Sequence, residues 1–224
     1  MMLPESVKST PWDSAVFGID TYEISDVSRE ALDAAVGTPG HYTVRLNPLA
    51  PKQRLIEYGF YYCDTLIEPY CTAERFVGFD DGSTDISLDT PLDLLLPICH
   101  GAFSHGRFHR DFNLPRALAD KRYNQWLKQL HGAGKVYGLL YLKELTGFIV
   151  ADKNRLVLHA VSKSQRGRGL AKGLWTPVCR MIFDKGYDEV VSSVSASNLA
   201  VLNLYTSLGF RFRNPVDIYH CLVP

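Results

Sequence analysis

One stretch limits the fold of this chain more than any other. Arg155–Val161 (RLVLHAV) has the β-branched, alternating pattern of a strand, and it runs through Gln165-Arg166-Gly167-Arg168-Gly169-Leu170-Ala171 into a helix spanning about Gly169 to Lys185. Leu170, Leu174, Val178, Met181 and Ile182 share one face of that helix, and Gly186 stops it. Pro177 removes a backbone hydrogen bond in its middle, which predicts a kink. Glycines at a strand-to-helix junction let successive backbone N–H groups turn toward one point, where the helix N-terminus adds partial positive charge. The junction therefore suits a pyrophosphate, with Arg166 and Arg168 to reinforce it. The plainer alternative is a glycine-rich turn that only starts a helix. Two other phosphate motifs fail on spacing. A Walker loop ends in Gly-Lys-Ser/Thr, whereas Gly173 precedes Leu174, and a dinucleotide fingerprint needs glycine where Lys172 stands.

Around this junction the order of elements reads as α+β rather than doubly wound. Upstream, Thr90 caps and Pro91 starts a helix with Leu94, Leu95, Ile98 and Cys99 on one face, and Arg116–Leu130 is a second helix. Between them lies the loop SHGRFHRDFNLP. Val136–Leu142, Gly147–Ala151 and Arg155–Val161 form an antiparallel meander, and Glu189–Val194 is a further strand. A last helix covers Asn198–Leu208, after which Phe210–Phe212 and Ile218–Val223 read as two strands. The polar run Asp80–Thr90 (DDGSTDISLDT) marks a domain boundary, giving parts 1–85 and 86–224. LIEYGFYYCDTLIEPYC in the first part and LYTSLGFRFRNPVDIYHCL at the end both put Gly-Phe after a helix, then a strand, a polar turn and a second strand. Chance or a degenerate repeat would each produce this likeness.

Charge and composition exclude several classes of function. Of 224 residues 46% are hydrophobic, enough for a real core, and 24 basic side chains balance 24 acidic ones, so no nucleic-acid footprint is present. No apolar run approaches the length of a membrane span, and Pro4 and Glu5 stand where a signal peptide would be apolar, which implies a soluble, cytoplasmic protein. Five cysteines without a CxxC pair give no disulfide framework and no zinc site, so no metal is expected.

The helix Asn198–Leu208 carries the second motif. Asn198 is placed to cap it, Gly209 to close it, and Tyr205 lies on its apolar stripe, where taken alone it reads as a packed core tyrosine whose phenol needs a partner. Arg166, Gly169 and Ala171 match the Arg/Gln-x-x-Gly-x-Gly/Ala motif of the Gcn5-related N-acetyltransferase (GNAT) family, and Asn198, Leu204, Tyr205, Gly209 and Phe210 match its Asn…Leu-Tyr-x-x-x-Gly-Phe helix. The resemblance covers about residues 86 to 224. It implies an α+β GNAT fold with a mixed, mostly antiparallel sheet, preceded by a smaller, truncated GNAT-like domain over 1–85 that contributes to the acceptor site. It also implies acetyl-CoA as co-substrate, held between Arg155–Val161 and Glu189–Val194 by His159, Ala160, Val161, Arg166, Gly167, Arg168, Gly169, Leu170, Ala171, Asn198 and Leu204. Trp12-Asp-Ser-Ala-Val-Phe17-Gly18-Ile-Asp, Ala102-Phe103-Ser104…Arg107-Phe108 and Tyr123-Asn-Gln-Trp126 further resemble the bacterial dTDP-fucosamine acetyltransferases. That likeness implies a nucleotide-linked aminosugar acceptor, a dTDP-4-amino-4,6-dideoxygalactose, with another amine or a non-catalytic CoA-binding module as alternatives.

Amide formation from a thioester needs a neutral amine, donors for the carbonyl oxygen and a proton for the departing thiolate. Backbone N–H groups near Val161 are candidates for the oxygen, and Tyr205 for the proton. Asp64, Glu68, Asp111 and His159 stay open as the general base, and water relays would also serve. On the acceptor side, Asp64, Glu68, Arg107 and Phe108 are the candidate contacts, with Arg107 and Arg110 for a diphosphate and Phe108, Phe112 or Trp126 to stack on a base. A surface loop with an aromatic plug explains the same residues. GNAT enzymes often dimerise, and nothing in the sequence fixes the stoichiometry.

Overall fold

The computed structural model describes residues 3–224. The chain opens with β1 (Val7–Ser9), α1 (Pro11–Phe17), β2 (Thr21–Ile24), α2 (Arg29–Val36), β3 (Gly40–Leu46), α3 (Gln53–Glu57) and β4 (Tyr61–Thr72). It continues with β5 (Thr84–Ser87), α4 (Leu92–Cys99), α5 (Arg107–Arg110), α6 (Arg116–Gly132), β6 (Val136–Tyr141), β7 (Glu144–Asp152) and β8 (Arg155–Val161). It closes with α7 (Ala171–Asp184), β9 (Glu189–Ser192), β10 (Val194–Ser195), α8 (Leu199–Ser207) and β11 (Arg211–Val223). None of the helices among the described residues is long and apolar enough to cross a membrane.

Two compact units divide these elements. Unit 1 takes the chain up to Leu66 with Ser104–Arg122 and Pro215–Pro224, and unit 2 takes Ile67–Phe103 and Tyr123–Asn214. Compared with a break near residue 85, Ile67–Asp85 falls in unit 2, while the loop after α4 and the last residues of the chain fall in unit 1.

In unit 1, β1 pairs antiparallel with β2, β2 parallel with β3, and β3 antiparallel with the end of β11, from Asp217↔Leu46 to Val223↔Gly40. Ile24, Leu32, Tyr42, Val44, Leu55, Phe60 and Tyr219 form its main core. Phe17, Phe108, Leu114 and Ala119 form a second, smaller one.

In unit 2 the meander β5-β6-β7-β8 is antiparallel, β9 adds parallel to β8, and the end of β4 adds antiparallel to β9 (Tyr70↔Val191, Cys71↔Val190). α4 and α6 cover one face with Leu95, Cys99 and Leu127 against Val136, Phe148, Val150, Leu158 and Ala160. α7 and α8 cover the other with Leu174, Val178, Ile182 and Tyr205 against Leu139, Ile149 and Leu156. Each unit's sheet is thus completed by a strand that begins in the other unit's chain segment.

Several local expectations need correction. The run Asp80–Thr90 contains the edge strand β5, whose polar residues reflect one unpaired edge rather than a linker. The segment after Phe210 is one continuous strand, β11, with Asn214 at φ 52 absorbing the local bend where a turn was expected, and β4 is likewise unbroken. The loop after α4 contains the short helix α5. Helix α7 runs on through Pro177. The carbonyl that Pro177 cannot bond belongs to Gly173, and the Thr84 hydroxyl donates to it at 3.1 Å, so a side chain from the edge strand replaces the missing backbone donor.

Candidate active site

The site in unit 2 starts from a fork in the sheet. β8 and β9 pair only at Arg155↔Val191 and Leu156↔Ser192, after which β10 pairs with β4 instead. At the same place the register of β8 against β7 shifts. Leu156 faces Ala151 and Leu158 faces Val150, so Val157 is an extra residue, a β-bulge. A bulge exchanges the two faces of every residue beyond it. Leu156 therefore packs with the α7/α8 core, whereas Leu158 and Ala160 pack with the α4/α6 core. The same shift turns His159 toward α7 and α8. Beyond Leu156 the edge of β8 that faces away from β7 has no β9 partner, which leaves main-chain donors for a carbonyl lying in the fork.

Beside this strand the glycine loop forms the N-terminus of α7. Gly167 and Gly169 have φ of 74° and 77°, in the left-handed region that favours glycine. A Cβ built on either meets nothing within 4 Å, so the loop presents bare backbone to open space. Leu170 at the helix start offers no side-chain cap, and the first N–H groups of Ala171 and its neighbours remain available for an anion. Arg166 Nε donates to the Val161 carbonyl at 2.9 Å, tying the loop to the end of β8, and Arg168 bonds Gln165. These residues fit a pyrophosphate such as that of CoA.

Tyr205 is fully buried, as its place on the stripe of α8 requires. Its phenol lies 3.0 Å from His159 Nε2, and His159 stands edge-on to both Trp175 and Tyr205 at 5.1 and 5.9 Å. Burial drives the His159 imidazole down to about 4, so it is neutral at physiological pH, and in its Nδ1–H tautomer its Nε2 lone pair accepts the phenol proton. Burial also pushes the Tyr205 phenol well above its usual range, opposed by the Ser192 hydroxyl and the Trp175 indole. Asn198 caps α8, its side chain accepting from Val201 N–H at 3.3 Å, and Leu204 packs at the core margin. The side chain of His159 is therefore a partner of Tyr205, and its main chain is left for the acetyl-CoA contact expected of it.

The carboxylates named as bases are engaged elsewhere. Glu68, in unit 2, accepts from Arg213 at 2.7 Å and Arg155 at 3.2 Å; burial raises its pKa, yet these two guanidiniums outweigh it and hold the group below its usual range. In unit 1, Asp64 is buried and paired with Arg110 at 2.9 Å. Asp111 is buried too, and hydrogen bonds from His220 and His41 overcome desolvation to hold its carboxyl below the ordinary range. Glu68 and Asp111, with their lowered proton affinity, make poor bases.

The acceptor candidates of unit 1 divide by exposure. Phe108 is 3% exposed, packed on Phe17 and lying under Arg107 and Arg122, so the stacking role expected of it is closed to a base. Phe112 is 78% exposed and rests on Tyr61 with ring centres 4.6 Å apart. Arg110 lies 5.7 Å over the exposed Tyr62 ring. Tyr61 and Tyr62 carry no motif of their own; what places them here is register along β4.

A sheet forked beside a glycine-bounded helix N-terminus, with a buried tyrosine on the following helix, is the α+β GNAT fold. Residues 113–218 match the family model described as the acetyltransferase (GNAT) domain. The chain is 35% identical over 78 residues to N-acetyltransferase 8B of Homo sapiens, covering 34% of each, and 38% identical over 52 residues to that of Rattus norvegicus, covering 23% of each. It thus spans no more than 34% of these curated relatives. Among solved structures, a functionally unknown conserved protein from Staphylococcus epidermidis aligns with a TM-score of 0.61 at 13% identity, over 92% of this chain and 85% of that one. A tandem GNAT protein from the clavulanic acid biosynthesis pathway aligns with a TM-score of 0.55 at 12% identity, over 90% of this chain and 75% of that one.

Proposed function

We propose that this chain is an acetyl-CoA-dependent N-acetyltransferase whose acceptor is a nucleotide-linked aminosugar of the dTDP-4-amino-4,6-dideoxygalactose type. The observation that carries the reading is the fork at the Val157 bulge beside the bare N-terminus of α7. The N–H groups of the α7 start and the Gly167–Gly169 turn bind the pyrophosphate, with Arg168 near it. Acetyl-CoA supplies an acetyl thioester. Main-chain donors of β8 near Val161 stabilise charge growing on its carbonyl oxygen. Tyr205 gives its proton to the departing sulfur. A free phenol near pKa ~10 is a weaker acid than a thiol near ~8.5 and burial weakens it further, so the proton moves together with cleavage of the C–S bond, and the tyrosinate regains a proton through the water that takes the one the amine loses.

Until that step His159 keeps the phenol oriented. With Asp64, Glu68 and Asp111 engaged, the amine enters neutral and loses its second proton to water. On the acceptor side, the exposed Phe112 face and the Arg110 and Arg107 guanidiniums of unit 1 suit a base and a diphosphate. The acidic surface expected of a polyamine or aminoglycoside site is absent from this loop. The likeness of the Trp12–Asp20 segment to the dTDP-fucosamine enzymes supports the sugar.

The test is thiol release from acetyl-CoA with the nucleotide-linked 4-amino sugar, its 3-amino isomer, a peptide N-terminus and a polyamine. Release with the 4-amino sugar is expected, falling on the order of 100-fold or more in Tyr205→Phe while calorimetric CoA binding persists. Release only with peptide or polyamine overturns the acceptor, and no CoA binding overturns the enzyme.

A further inference from the structure

We propose that unit 1 holds a divalent transition-metal ion, of the zinc class, between His41, Asp111 and His220. His41 stands on β3, Asp111 just after α5 and His220 on β11, so three distant parts of the chain converge. Their ligand atoms all lie within 4.8 Å of one another. His41 Nε2 is 2.8 Å and His220 Nδ1 2.7 Å from the same carboxylate oxygen, Asp111 Oδ2. The residues are 1%, 2% and 0% exposed.

The two oxygens of Asp111 divide their roles. Oδ1 accepts from the Tyr61 hydroxyl at 2.9 Å and from Asn113 N–H at 2.9 Å, which fixes the carboxylate plane and aims Oδ2 at both imidazoles. A carboxylate held from behind in this way is what a monodentate metal ligand requires. The rings are fixed as well, His41 edge-on to His220 at 4.6 Å and Phe108 beside His220 at 5.7 Å.

Without an ion, each imidazole donates an N–H to the Oδ2 carboxylate oxygen. Binding needs a lone pair of each ring to face inward, which the other tautomer of each imidazole provides. His41 passes to its Nδ1–H form and His220 to its Nε2–H form. His220 Nε2 is buried and has no hydrogen-bond partner, so the change of tautomer gives up only the Nδ1–H bond to Oδ2, in whose place the ion would bind. Two imidazoles and one carboxylate out of reach of water favour zinc-class ions over calcium or magnesium, which need a shell of oxygen ligands. Three protein donors leave a fourth position.

The test uses the full chain, stripped with a chelator and titrated with Co²⁺ and then Zn²⁺. One equivalent is expected to bind, with visible d–d bands for Co²⁺ and a rise in the melting temperature, and X-ray absorption of the zinc form should show two imidazoles at about 2.0–2.1 Å. His41→Gln/His220→Gln should lose the tight equivalent. A folded wild-type chain without saturable uptake of one ion overturns the site, and so does an absorption spectrum with fewer than two imidazoles, whether or not the variant folds. Uptake undiminished in a folded double variant overturns it too. Metal uptake is read without substrate, so it stands or falls separately from acetyl transfer.

Discussion

The helix-to-strand passages α3–β4 and α8–β11 are built alike, and their differences separate what the fold needs from what the chemistry needs. In both, a glycine in the left-handed region follows the helix, Gly59 at φ 81 and Gly209 at φ 88. In both, the next phenylalanine N–H reaches back to a carbonyl five residues earlier, Phe60 to Leu55 at 2.9 Å and Phe210 to Tyr205 at 3.0 Å. Both then run into one long strand that ends in the other unit. Leu55 and Tyr205 therefore occupy equivalent positions, 1% and 0% exposed. Unit 1 fills that position with a leucine that needs nothing further. Unit 2 fills it with a phenol, which brings with it the need for an acceptor, met by His159. Burial is thus the demand of the fold, and the hydroxyl is an addition that the fold does not require.

The largest way to break the comparison is to cut the chain between its supposed halves. A fragment 86–224 lacks Tyr70–Thr72 beside β9, the Phe79 N–H that donates to Thr176 Oγ1 at 3.0 Å, and the Thr84 hydroxyl that serves the Gly173 carbonyl. It also keeps the Pro215–Pro224 end of β11 without the β3 strand it pairs with. Fragment 86–224 is expected to show no cooperative unfolding transition by circular dichroism, whereas the whole chain shows one. A cooperatively folding 86–224 would make the shared strands dispensable.

A smaller effect separates the two glycines. A Cβ on Gly59 meets nothing within 4 Å, whereas one on Gly209 would sit 2.1 Å from the Arg75 carbonyl oxygen. Gly59→Ala should cost about 1–2 kcal/mol for the left-handed backbone alone. Gly209→Ala adds a backbone shift and should cost more than about 3 kcal/mol in denaturant unfolding. Equal losses would show that the close approach at Arg75 relaxes freely.

Much of this was legible in the sequence because it is local. Gly167 and Gly169, the Asn198 cap, Gly209 and the apolar stripes of α7 and α8 each act within a turn or two, and the likeness of the two helix-to-strand passages shows as Gly-Phe after a helix. What stayed hidden depends on partners far along the chain. The Val157 bulge is a matter of register against β7, and RLVLHAV alternates as an unbroken strand would. Thr84 looks like one more turn residue until Gly173 lies beside it. His41, Asp111 and His220 have no spacing that a motif could express, since β3, the segment after α5 and β11 bring them together only when the sheet of unit 1 is complete. Phe108 and Phe112 are chemically the same residue, and only packing decides which of them is covered.

The last contrast concerns what the added phenol costs. A neutral His159 accepts from Tyr205, and its imidazole is held down to about 4, below the ordinary value of 6.5. Between these values the unfolded chain binds a proton at this site that the folded chain refuses, so stability falls as pH drops below about 6.5 and levels off only near 4. His159 is partly accessible, so the loss by pH 5 should be about 1–2 kcal/mol. His159→Phe removes the titrating group, leaves the phenol without its acceptor, and should be less stable than wild type at pH 7 by about 1 kcal/mol or more. Its stability should nevertheless change less between pH 7 and pH 5 than that of wild type, because one source of the acid slope is gone. Denaturant unfolding of both proteins at the two pH values measures this difference of differences. Parallel losses would mean that His159 takes up its proton in the folded state as readily as in the unfolded one, and the Tyr205–His159 contact would then fix neither tautomer nor direction.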